Sequence, residues 1–178
     1  INKIMAVSVI INSNAKQVQK KLDRFFNKFP GITRKGLAQA SFQLQAIIKE
    51  LTDKGLAQAS FQLQAIIKEL TDKGLDINRR RFAPYSEGYI SRLQREGKST
   101  RVDLKYSNDM MNSLTGKVQS NKKAIVFFNR GEMRERALFN QVLNSPRREF
   151  FGFSKRTEKI IQKSFVKFME KEIRKFKI

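Results

Sequence analysis

Apolar residues recur at the helical period through the first half of this 178-residue chain. Leu37, Ala40, Leu44, Ile47, Ile48 and Leu51 make one stripe, and Ala, Gln, Leu, Lys and Glu around them are strong helix formers. The stripe then returns at Leu56, Ala59, Leu63, Ile66, Ile67 and Leu70. Residues 36–54 and 55–73 are the same nineteen residues, GLAQASFQLQAIIKELTDK, without one substitution. Two copies are too few for a solenoid, and nothing else in the chain resembles the unit.

The second copy poses a geometric problem. Nineteen residues make five turns plus about 100°, so one uninterrupted helix cannot aim both stripes at the same partner. Thr52-Asp53-Lys54-Gly55 reads as an end signal, a cation in the last turn followed by a glycine suited to the left-handed C′ position. Three outcomes are open: a helical hairpin broken at Gly55, a long helix running through it, or one copy in the core with the spare looped out. The Lys54-Gly55-Leu56 link is short for a reversal, which favours a continuous or slightly broken helix.

Elsewhere the pattern alternates between short strands and amphipathic helices. The β-branched run Ile4–Ile11 predicts a first strand, and residues 15–29 predict a basic helix that Pro30-Gly31 stops. Residues 75–97 read as mostly irregular, with a short helix over Ser86–Leu93. Residues 110–114 form a short helical or strand-like run. Lys123–Asn129 predicts a strand whose antiparallel partner is residues 114–119, joined through Ser120-Asn121-Lys122. Phe139–Leu143 is a short apolar patch. A last helix spans Ser154–Phe176, with Ser154 as its N-cap and Ile160, Ile161, Phe165, Phe168, Met169 and Ile173 on its stripe.

Composition narrows the function. The chain has no cysteine and no histidine, so disulfides, thiolate metal sites, the usual zinc ligands and Ser–His or Cys–His nucleophiles are excluded. Carboxylate pairs such as Asp103/Asp109 and Glu132/Glu135 sit in charged, solvated stretches, so we expect neither an enzyme nor a cofactor. No apolar run approaches the roughly 18 residues of a membrane span, and the start carries no signal-peptide pattern. The formal net charge is +21, from 37 basic against 16 acidic residues, which favours polyanions or acidic protein surfaces as partners.

Two basic segments are candidate contacts. Arg79, Arg80 and Arg81 beside Phe82 and Tyr85 suit phosphates with an aromatic for stacking, or else a solvated turn anchored to the core by its aromatics. Arg147 and Arg148 precede Phe150, Phe151 and Phe153, a candidate interface. These same segments carry a resemblance. Phe82-Ala83-Pro84-Tyr85-Ser86 with Tyr89 and Arg92, Leu104 with Ser107–Leu114, and above all Pro146-Arg147-Arg148-Glu149-Phe150-Phe151-Gly152-Phe153-Ser154 resemble motifs of the phage virion morphogenesis family of tail-completion and neck proteins.

The resemblance is loose over residues 1–35 and firmer over 74–178. One copy of the helix fits it, while the second departs from it and looks recent or engineered. It implies an α+β fold, a small antiparallel sheet flanked by long amphipathic helices, in one domain over residues 1–178. It also implies a structural role in the virion at the head–tail junction, as a homo-oligomer, with a ring among the options, bound to other virion proteins. A nucleic-acid-binding protein that uses the Arg and Lys patches is the alternative. No membrane partner is expected.

Overall fold

A computed structural model describes residues 34–175; the expected first strand and first basic helix lie outside them. Helix α1, Arg34–Asp72, is a single helix of 39 residues, about 58 Å at 1.5 Å per residue. After it come α2 (Glu87–Arg95), the one-turn helix α3 (Asp109–Asn112) and the hairpin strands β1 (Leu114–Ser120) and β2 (Lys123–Phe128). The chain continues through α4 (Gly131–Leu138), a π-helical segment at Phe139–Leu143, and α5 (Lys155–Lys175). The α+β expectation holds, with an antiparallel pair and helices around it.

The two copies behave differently although their residues are identical. In the second copy Leu56, Ala59, Leu63, Ile67 and Leu70 are buried. Among their described equivalents in the first copy, Ala40 and Ile48 are exposed, Leu44 is half-buried and Leu51 is buried. Ile67 is 1% exposed and its counterpart Ile48 is 37% exposed. Phe42 and Phe61, which lie off the stripe, face solvent in both copies. The rotation of about 100° between stripes leaves room for only one of them against the core.

Glycines set how close the partners come. A Cβ at Gly55 would sit 2.6 Å from Cε2 of Phe165, so the ring of α5 rests on the bare backbone of α1. On another side of α1, a Cβ at Gly116 would lie 2.6 Å from Oγ of Ser60, which puts β1 directly on the helix. The end signal at Gly55 is therefore overridden: the helix gains packing there, and Leu56-Ala57-Gln58 continues it. The same Lys-Gly sequence does end the helix at Gly74, whose φ is +70°. The turn beyond Gly74 makes the difference. Asp76 Oδ1 accepts the backbone N–H groups of Asn78 and Arg80, both at 2.8 Å, and this local turn competes with helix.

The hairpin pairs Leu114 with Phe128 and Lys117 with Ile125, with an irregularity near Ser120. Alternation along β2 buries Ala124, Val126 and Phe128. Beneath it, Met110, Met111, Leu114, Phe150, Phe151 and Ile161 close the main core with the second copy of α1. Ser154 caps α5 as expected, its Oγ accepting the N–H of Thr157 at 3.2 Å.

The duplication supplies its own control. Ile67→Ala should destabilise by about 2–5 kcal/mol, as for a fully buried aliphatic, while Ile48→Ala should cost under about 1 kcal/mol. Urea denaturation of the two variants checks this; equal losses would mean that both copies share the core.

A candidate partner-binding groove

Three segments distant in sequence meet around one cleft of about 840 Å³. The start of α2 brings Pro84, Tyr85 and Tyr89, and the loop before α3 brings Leu104, Tyr106, Ser107 and Asn108. The end of α4 and the π-helical segment bring Leu138, Phe139 and Leu143, and Arg148 lines it from the segment beyond them. Local rules explain the third wall. Gln141 clamps the Phe150–Phe151 backbone: its Oε1 accepts both N–H groups, at 3.0 and 3.1 Å, and its Nε2 donates to the Phe151 carbonyl at 2.9 Å. Arg148 N–H donates to the Asn140 carbonyl at 2.9 Å.

That clamp places the sequence candidates unequally. Phe150 and Phe151 are buried against Phe128, with ring centroids 6.2 and 5.3 Å away, and Phe153 packs on the same core. As an interface Phe150 and Phe151 need correction: Gln141 turns the segment inward, so their rings fill the core, while Phe153 stays half-buried at its edge. Arg147 remains exposed, whereas Arg148 is only 4% exposed. Arg79, Arg80 and Arg81 stay on the surface, with Arg80 Nε paired to Asp76 Oδ2 at 3.1 Å. Phe82 is buried and Tyr85 packs against the core, so the aromatics anchor that turn rather than stand ready for stacking.

Arg148 is the unusual group. Its Nε is buried with no hydrogen-bond partner, and no carboxylate among the described residues pairs with its guanidinium. The Tyr85 ring lies under it, 5.0 Å from Cζ to the ring centroid, and Tyr89 meets Tyr85 edge-on at 4.8 Å. Burial pushes the Tyr85 phenol above its usual range, Tyr89 adds to the shift, and Arg148 opposes it.

The rim is fixed by a charged cluster. Tyr106 Oη donates to Glu96 Oε2 at 2.8 Å, Arg92 Nε donates to Glu96 Oε1 at 2.9 Å, and Lys98 Nζ sits 3.3 Å from the Tyr106 ring centroid. Hydrogen bonds from Arg92, then Tyr106 and Lys98, hold the Glu96 carboxyl down to about 2. Leu104 and Asn108 both have positive φ, 56° and 60°. Non-glycine residues in that region cost on the order of 1–3 kcal/mol each, and such strain clusters at binding sites. Leu138, Phe139, Val142 and Leu143 remain exposed beside the cleft, a contiguous apolar edge.

Sequence reading missed Gln141, Asp76 and the tyrosine wall. The one available signal was composition: the chain has three tyrosines, and all three line this cleft. Among the described residues no helix is long and apolar enough to cross a membrane.

Burial without a partner is unfavourable for Arg148 in the free protein. A buried unsatisfied donor costs about 1–3 kcal/mol, whereas a cation over a ring returns about 0.5–2 kcal/mol. Arg148→Met keeps the packing stem and should raise stability by about 1 kcal/mol in thermal or urea denaturation. A loss of stability would instead assign Arg148 a purely structural role on Tyr85.

No family model, curated protein or solved structure matches this chain.

Proposed function

We propose that this chain is a structural virion assembly protein of a phage, a tail-completion or neck component that joins other virion proteins at the head–tail junction. Two supports are separate. The phage assignment rests on the resemblance carried by residues 82–92, 104–114 and 146–154. The docking role rests on the groove, where Arg148, buried and without a carboxylate partner among the described residues, stands beside an exposed apolar edge. That combination suits the capture of a partner's side chains, and the chain has no histidine or cysteine to form a Ser–His or Cys–His pair.

On this reading the chain is a helix-duplication variant of that family. Residues 55–73 fill the core, and residues 36–54 extend the same helix by about 28 Å. Ile48 and Phe42 on that extension give homo-oligomers a further apolar surface.

A second reading has its own observation. Lys155, Arg156, Lys159 and Lys163 line a shallow cleft with Ile160 along α5, a basic face suited to phosphates. Together with Arg79–Arg81 and Arg147 it makes nucleic-acid binding the alternative function.

Light scattering on nucleic-acid-free protein at low and high salt separates the two. Assembly predicts a discrete oligomer, a whole multiple of 20.7 kDa, at both salt concentrations. A monomer that binds DNA of any sequence, with affinity falling steeply as salt rises, would replace the assembly reading with the nucleic-acid one.

A further inference from the structure

We infer that the groove receives an extended segment of a partner protein through a glutamate or aspartate flanked by apolar side chains, its carboxylate seated on Arg148. This rests on the protein-docking reading of the groove and names the chemistry of the docked segment.

The guanidinium fixes the class of ligand. It presents a planar fork of donors that matches a carboxylate in bidentate fashion. Arg148 is 4% exposed, its Nε lacks a partner, and the chain supplies no carboxylate to it among the described residues. A buried donor of this kind calls for an explanation, and a carboxylate from a partner supplies one. The surrounding wall fixes the flanks. Leu138, Phe139 and Leu143 are exposed beside the cleft and would be covered by apolar side chains on either side of the acid.

Other anions fit less well. A nucleic acid needs a row of cations along its backbone, but the charged residues that line this cleft are one carboxylate, Glu135, and two cations, Arg136 and Arg148. The basic rows of the chain lie elsewhere, on α5 and at Arg79–Arg81. The volume of about 840 Å³ holds a few residues of extended peptide, and Asn108, Asn144 and Ser107 offer partners for its backbone.

The chain carries its own reporter. With no tryptophan and three tyrosines, all lining this cleft, intrinsic tyrosine emission reads the groove alone. The probes are a blocked leucine–glutamate–leucine–leucine peptide, its glutamine counterpart and inorganic phosphate, titrated into the full chain. The glutamate peptide should change the emission saturably and bind at least about tenfold tighter than the glutamine peptide. Arg148→Gln should erase that preference, and Arg148→Lys should keep part of it, with circular dichroism confirming that both variants fold. Equal binding of the two peptides, or no saturable change, overturns the proposal. Phosphate binding as tightly as the glutamate peptide overturns it too, because the site would then take free anions. A glutamate preference in a protein that proves to be a DNA-binding monomer would retire virion assembly yet uphold the groove. A discrete oligomer indifferent to both peptides would do the reverse.

Discussion

The described fold is arranged around two close contacts made through glycines, one on the repeated helix and one on the strand that packs against it. Phe165 of α5 lies on Gly55, and Gly116 of β1 lies on Ser60. The contacts are on the second copy of the repeated helix, and they hold α5 and the hairpin close enough to bury Leu56, Leu63 and Ile67 between them. A side chain at either glycine would push the neighbour outward, and interiors packed at protein density tolerate such displacement poorly. The first copy has a glycine at the equivalent position, Gly36, but it is exposed.

The groove depends on the same frame at one remove. Core residues Phe150 and Phe151 anchor against Phe128 of β2, and Gln141 ties their backbone to the π-helical segment. Arg148 is therefore delivered to the cleft by a clamped segment that cannot slide, two residues ahead of a buried ring. Tyr85 and Tyr106 are held from the other side by core packing and by Glu96. A preorganised, desolvated charge of this kind weakens the free protein slightly and favours a partner that completes it.

How much of this was legible from residues alone divides along physical lines. Elements defined by local pattern were readable: the hairpin from its β-branched run, α5 from its stripe and Ser154, and the continuity of α1 from the short link at Gly55. The choice between the copies was not, because identical sequences have identical propensities. It comes from connectivity, since the second copy alone adjoins the Asp76 turn and the buried Phe82. The inward turn of Phe150 and Phe151 was half-readable: an apolar cluster signals burial or an interface equally, and Gln141, ten residues from Phe151, decides it. That no carboxylate among the described residues pairs with Arg148 had no local signal, because it depends on which carboxylates tertiary packing leaves out of reach.

Amide hydrogen exchange along α1 tests the central claim most directly, that one copy forms the core and its identical twin does not. Matching residues in the two copies have the same neighbours in sequence, so their intrinsic exchange rates are equal and any difference is structural. The account predicts that amides of Leu63 and Ile67 exchange only through global unfolding, while those of Leu44 and Ile48 exchange through local opening, faster by orders of magnitude. Equal protection in the two copies would contradict it.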